Sequence, residues 1–354
     1  MRLRIKKSIL ENIVASMQPF LEKKDQSSIT SHLYFEINNA NLVVRATDYE
    51  MGLKIQISNL EDCKDGKATV NGTNFLNILR RLKDGELILE TIENDICIKQ
   101  NKSIFKLHMY DALEYPSFID INNLAKLNVN RNSLISSFKK ITPSIDNNNP
   151  KFELNGALID IKSSKINFVS TDTRRLSFVK IESNSTHETQ VIIPKKAVIE
   201  IQKLFSEEVE IKYDETNFVI QTENSLFFTK LINGKYPDYE KIIPQNLKTK
   251  INLPKDEMID SIKLVTSLFA NIKMTITNNS IILESLDEES EARTQVDFEN
   301  NLENEIVIAA NSKYLLDFLS TSSNQTIVLG INDPNLPFYL EDGNFGTIIM
   351  PIVI

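Results

Sequence analysis

Asp48 and Asp172 stand at matching places in two similar stretches, Ala46-Thr47-Asp48 and Ser170-Thr171-Asp172, 124 residues apart. Two carboxylates could serve as acid and base in a metal-dependent nuclease or hydrolase. The second stretch suggests another chemistry. Between two β-rich runs, Ser170-Thr171-Asp172-Thr173 reads as a turn, because Ser, Thr and Asp side chains bond their own backbone two residues on. Arg174, Arg175 and Leu176 follow at once. A fixed turn presenting cations beside an apolar side chain makes the rim of a binding pocket, or it simply closes a hairpin. Other catalytic signatures are missing from the sequence. It has no glycine-rich phosphate loop or dinucleotide fingerprint. His32, His108 and His187 are isolated, and Cys63 and Cys97 have no metal-ligand spacing. No metal or cofactor is expected, and two unpaired cysteines fit a reducing cytoplasm.

The elements around these residues recur. Leu3 and Ile5 alternate with basic residues as a short strand, and Ile9, Leu10, Ile13, Val14 and Met17 then keep helical spacing up to Pro19. The same passage returns as Leu127, Val129, Leu134, Ile135 and Phe138, and again as Ile251, Leu253, Met258, Ile259 and Ile262. Ser285-Leu286-Asp287 is a weaker third copy of the turn. A second helix is marked by Phe75, Leu76, Ile78 and Leu79, by Val198, Ile199 and Ile201, and by Leu315, Leu316 and Phe318. Tyr115-Pro116-Ser117-Phe118 matches Tyr236-Pro237-Asp238-Tyr239 at an offset of 121. Landmarks in fixed register predict repeated domains. The expectation is three similar α+β domains with antiparallel sheets, 1–122, 123–247 and 248–354, joined in polar segments. A length of 354 residues accommodates that number.

Composition narrows the function. Apolar residues make up 41% and charged residues 25%, as in a soluble globular protein. No apolar run is long enough to predict a membrane span. The net charge of −8 should repel nucleic acid unless the charges are segregated. They are: the expected helices collect Lys6, Lys7, Arg80, Arg81, Lys139, Lys140, Lys195, Lys196 and Lys203, while acids crowd into segments such as Glu284 to Glu291. Any one basic helix is most simply a solvated face. Three copies pointing the same way would build a cationic surface that contacts phosphate without reading sequence.

Several stretches carry a family resemblance from end to end. They are Ala46-Thr-Asp-Tyr-Glu-Met51, Leu154-Asn-Gly-Ala-Leu158, Ser170-Thr-Asp-Thr-Arg-Arg-Leu176 and Ile193-Pro-Lys-Lys-Ala-Val-Ile-Glu200. The most specific is Phe228-Thr-Lys-Leu-Ile-Asn-Gly-Lys-Tyr-Pro-Asp-Tyr239, closing on Ile243-Pro244, and the terminus Ile349-Met350-Pro351-Ile352-Val353-Ile354 also sits in place. The chain resembles the bacterial sliding clamps, the beta subunits of DNA polymerase III. That resemblance implies a non-enzymatic processivity factor, a head-to-tail homodimer closed into a ring around duplex DNA. Sheets would form the outside and helices would line the hole. It implies a hydrophobic peptide pocket that docks the polymerase III alpha subunit, the clamp loader delta subunit and other proteins with a clamp-binding motif.

Carried over by position, the pocket comprises Leu154, Thr171, Thr173, Arg174, Arg175 and Leu176, then Pro237, Lys241 and Ile242, then Ile349, Met350, Pro351 and Ile352. The DNA-facing set is Lys23, Lys24, Arg80, Arg81, Lys139, Lys140, Phe152, Lys195 and Lys196. Phe105 and Leu107 on one side, and Leu264, Leu268 and Ile272 on the other, are the expected dimer contacts. The family commonly has Gly-His where Thr173-Arg174 stands, and often ends Met-Arg-Leu where this chain has Ile352-Val353-Ile354. Both changes fall on the pocket lip and bear on peptide preference. Of the aromatic pair that touches DNA in some members, only Phe152 is kept, beside Glu153. Two alternatives to a clamp stand beside it: a nuclease or hydrolase using Asp48 and Asp172, and a peptide-binding scaffold that never meets DNA.

Overall fold

Strand alternation and helical spacing resolve, in a computed structural model, into antiparallel sheets and six helices over the described residues, 1–185, 188–267, 270–286, 291–300 and 302–354. The helices are α1 (Lys7–Met17), α2 (Gly72–Arg81), α3 (Arg131–Ile141), α4 (Lys195–Leu204), α5 (Lys255–Val265) and α6 (Ser312–Thr321). Each begins directly after a strand or a short extended stretch. Asn71 and Asn311 cap α2 and α6, their side chains accepting from the Asn74 and Lys313 amides at 3.0 Å. Pro19 and Pro143 end α1 and α3 in single 3-10 turns, Gln18–Phe20 and Thr142–Ser144, as a ring without an N–H must.

The chain forms two compact units. The first comprises Met1–Arg131 with Lys203–Leu231, and the second Asn132–Gln202 with Ile232–Ile354. In the first unit a five-stranded sheet ends on Ser103–His108, and an eight-stranded sheet joins Met51–Ile57 to Ser225–Lys230. In the second, an eight-stranded sheet runs in the order Thr189–Pro194, Gly156–Ile161, Lys165–Thr171, Arg175–Glu182, Phe345–Ile349, Phe338–Asp342, Thr326–Ile331 and Thr249–Pro254. A four-stranded sheet completes it. The central ladder of the eight-stranded sheet pairs residues far apart in sequence, Leu176 with Ile348 and Arg175 with Ile349.

The repeated turn is the same structure twice. In the first unit, Thr47 Oγ1 donates to Met51 O at 2.8 Å, and Asp48 Oδ1 accepts from the Glu50 and Met51 amides at 3.1 and 2.8 Å. In the second, Thr171 Oγ1 donates to Arg175 O at 2.6 Å, and Asp172 Oδ1 accepts from Arg174 and Arg175 at 3.0 and 2.9 Å. Tyr49 and Thr173 both sit at φ 71°. A left-handed conformation strains a β-branched residue such as Thr173 by about 1–2 kcal/mol, and a glycine there would be relaxed. The third copy, at Asp287, lies outside the described residues.

Candidate partner-peptide pocket

Side chains alternate across a strand, so Arg175–Glu182 divides its residues between two faces. Leu176 and Phe178 enter an apolar cluster with Leu154, Leu158, Val169, Ile192, Tyr236, Tyr239, Tyr339 and Ile348, against which Ile232, Ile243 and Leu247 pack. Leu154 enters from a 3-10 turn, Phe152–Asn155, Tyr236 and Tyr239 from a second such turn, Tyr239–Lys241, and the segment before it, and Tyr339 from the strand Phe338–Asp342. Burial raises the hydroxyl pKa of Tyr236 and of Tyr239, and the hydrogen bond to Asp160 raises Tyr239 further, so both stay neutral.

Around this floor the chain leaves apolar side chains in solvent. Ile242 is 49% exposed and Met350 45%, and Val353 and Ile354 are more exposed still. The Met350 amide donates to Arg174 O at 2.9 Å and that of Ile352 to Ala309 O at 2.8 Å, which ties the terminus down. Thr173 and Arg174 are exposed on the turn, and Pro237, Pro351 and Ile352 are half-buried. The exposed Lys241 ammonium pairs with Asp238 at 2.7 Å. Fixed backbone, a buried apolar floor and solvent-facing anchors are what a short apolar peptide requires.

Arg175 and Ile349 do not join this surface, contrary to the sequence expectation. They are cross-strand partners on the opposite face. Ile349 is fully buried and Arg175 only 5% exposed. The guanidinium donates to Asp172 Oδ2 at 3.0 Å, to Asp317 Oδ2 at 2.8 Å and to the Pro143 carbonyl, and it stacks 4.3 Å above the Tyr314 ring. Beside it lies a cavity of about 660 Å³ lined by Lys139, Asp146, Lys195, Lys313 and Tyr314 among others. Motif carry-over missed Ile348, Tyr236 and Tyr239. The Tyr-Pro-Asp-Tyr motif carries the signal for the two tyrosines, and no local pattern carries it for Ile348.

Of the basic candidates, Lys23, Lys24, Arg80, Arg81, Lys139 and Lys196 are exposed, although Lys23 and Lys24 lie in a loop. Lys140 lies over the Phe345 ring at 5.3 Å. Lys195 donates to Ile145 O at 2.6 Å, and burial holds its ammonium below the usual lysine value. Arg80, Arg81, Lys139 and Lys140 occupy last turns of helices, where the helix dipole favours cations. Phe152 is 73% exposed. Among the dimer candidates, Phe105 and Leu107 lie on the outermost strand of the five-stranded sheet, and Leu264 is exposed near the end of α5. Ile272 is 0% exposed, a core residue paired with Ser285 and Ala310. Leu268 lies outside the described residues. Asp48 and Asp172 each serve as the acceptor that closes a turn, and among the described residues no group of acids, histidines or cysteines could hold a metal.

Models of the DNA polymerase III beta subunit match in three pieces, the N-terminal domain over residues 1–119, the central domain over 128–238 and the C-terminal domain over 240–352. The beta sliding clamps of two Helicobacter pylori strains, J99 and 26695, are 39% and 40% identical over 374 residues, with all of each chain covered. A solved structure of the H. pylori beta clamp bound to a DNA ligase peptide superposes with TM-score 0.94 at 39% identity, over all of both chains. A Pseudomonas aeruginosa sliding clamp bound to griselimycin shares the fold over both whole chains, at TM-score 0.93 and 21% identity. The chain therefore belongs to the DNA polymerase III beta subunit family, the beta sliding clamps.

Proposed function

We propose that two copies of this chain join head to tail in a ring that slides on duplex DNA and tethers the replicative polymerase without catalysing a reaction itself. A head-to-tail contact that closes after two copies leaves no free end. Topological linkage then replaces affinity, so a net acidic protein stays on DNA. The reading assigns three clamp domains, 1–122, 123–247 and 248–354. The outermost strand Ser103–His108, with Phe105 and Leu107, supplies a pairing edge to the partner copy, and the exposed Leu264 belongs to the other side of that joint. The exposed lysines and arginines meet phosphate. The pocket takes the clamp-binding motifs of the polymerase alpha subunit, the clamp-loader delta subunit and repair proteins in the cytoplasm.

The observation that carries the docking role is the apolar floor of Leu154, Leu176 and Ile348 beside a hydrogen-bonded turn, with Ile242 and Met350 left exposed. The peptide-bound H. pylori clamp supports it.

Light scattering at micromolar concentration is expected to give twice the 40.4 kDa chain mass. Once loaded, the protein should stay on nicked circular DNA and run off the same DNA after linearisation. Equal retention on both would favour a binding protein without a ring. Replacing Lys139 and Lys196 with glutamate should weaken DNA contact, each lost phosphate contact lowering the salt slope by about 0.9. Unchanged salt dependence would leave these lysines as solvated outer charges. Lys195 is left out of that variant because its ammonium is held by Ile145 O.

A further inference from the structure

The two copies of the turn are followed by opposite arrangements of one motif. At the offset of 124 residues, Gly52 corresponds to Leu176, Glu36 to Asp160 and Val43 to Asn167, and at the offset of 121 Phe118 corresponds to Tyr239. The ladders make Phe228, the partner of Gly52, the counterpart of Ile348, the partner of Leu176.

In the first unit the aromatic lies over the floor. Phe118 meets Phe228 edge to face at 4.9 Å, and a Cβ added to Gly52 would lie 2.4 Å from the Phe228 ring and 2.9 Å from the Phe118 ring. Only glycine admits that lid. Glu36 there accepts from the Tyr34 hydroxyl at 3.1 Å, and the Val43 side chain has no group to hydrogen-bond.

In the second unit every element of the lid is changed. Leu176 brings a side chain where Gly52 has none. The motif aromatic carries a hydroxyl, which donates to Asp160 Oδ2 at 2.5 Å and accepts from Asn167 Nδ2 at 2.6 Å. Gln190 Nε2 donates to the other Asp160 oxygen at 3.1 Å. Lys162 lies 3.5 Å from Asp160 and bonds Glu240, next to Tyr239, at 2.7 Å. Asp160, Asn167 and Tyr239 are all buried. Asn167 lies four residues before Thr171, the ladder partner of Leu176, which is about 13 Å along the strand. The Tyr239 ring packs in the same apolar cluster as Leu176 and Ile348, but its hydroxyl is tied at the Asp160–Asn167 end of that cluster.

We propose that Tyr239, held by Asp160 and Asn167, is a positioning residue that keeps the peptide pocket open. It fixes the segment bearing Pro237, Lys241 and Ile242 and stops the aromatic from lying over Leu176 and Ile348 as Phe118 lies over Gly52. The proposal rests on the reading of that surface as the partner pocket. Its action is preorganisation: without the tether only a fraction of molecules present an open floor, and apparent affinity falls by that fraction.

The test is stopped-flow binding of the fluorescein-labelled peptide Gln-Leu-Ser-Leu-Phe to the full chain. Tyr239→Phe keeps the ring and removes the tether. Its association rate is expected to fall about tenfold while the dissociation rate changes less than twofold, because the open state, once formed, is unaltered. Asp160→Asn keeps an acceptor but loses the charge, and should fall between wild type and Tyr239→Phe. Loss of packing alone would leave the association rate of the folded protein where it was. An association rate equal to wild type in a folded Tyr239→Phe protein overturns the proposal. If that variant does not fold, Asp160→Asn decides by the same criterion. A wild-type chain that fails to bind the peptide would instead overturn the pocket reading itself.

Discussion

Replacing Arg175 with methionine is expected to lower the stability of the second unit by about 3–5 kcal/mol, the usual result of removing one partner from a buried ion pair. The guanidinium serves Asp172, Asp317 and the Pro143 carbonyl at once, and its face covers Tyr314. Methionine replaces the aliphatic stem but leaves two carboxylates without the guanidinium they accept from. Asp317 keeps Lys313 at 2.7 Å, and Asp172 keeps its backbone donors, so the loss should fall toward the lower figure. At about 2–4 °C per kcal/mol for a unit of this size, calorimetry should show the melting transition about 6–12 °C lower. Lysine would not rescue it, since an ammonium lacks the planar fork that spans three acceptors. The difference should survive added salt, because the pairs are shielded from solvent. A shift below about 1 kcal/mol would mean that Arg175 is only a passenger beneath the turn.

Deleting residues 350–354 is expected to weaken peptide binding about a thousandfold while the chain stays folded and keeps the oligomeric state of the full-length protein. The deletion removes two backbone hydrogen bonds, to Arg174 O and Ala309 O, and leaves the ladder from Phe345 to Ile349 whole. The melting temperature should therefore move by only a few degrees. It also removes Met350, whose flexible thioether chain can adapt to varied partners, and the half-buried Ile352. Each anchor truncated from such a pocket typically costs about 2 kcal/mol, so losing two should weaken binding about a thousandfold. Calorimetric titration with a peptide carrying Gln-Leu-x-Leu-Phe measures this directly. Full affinity after the deletion would move the pocket elsewhere and return Ser170 to Leu176 to the role of a hairpin.

The sequence was most legible where the same local chemistry recurs. The offset of 124 residues places Thr47 on Thr171 and Asp48 on Asp172, and both turns close through the same hydrogen bonds. It was less legible where burial decides. A contiguous motif assigns Arg174, Arg175 and Leu176 to one surface, whereas alternation sends Arg175 through the sheet. Lys195 counts as a surface charge in any sum over residues, yet its ammonium is bound to Ile145 O. Ile272 reads as an apolar residue near a helix end, but it begins a strand whose neighbours on both sides cover it. The floor residue Ile348 meets Leu176 across 172 positions of chain, a pairing that no local pattern announces. The repeats also differ from the compact units, because each eight-stranded sheet joins strands from successive repeats.

The Phe118–Phe228 lid over Gly52 has a consequence for traffic. If the second unit's cleft takes the partner peptide as proposed while this lid covers its counterpart, each chain would have a valence of one, and a ring of two chains would offer two berths rather than four. Polymerase, loader and repair factor would then have to take turns, and the residence time of whichever holds a berth would set the order in which the others act.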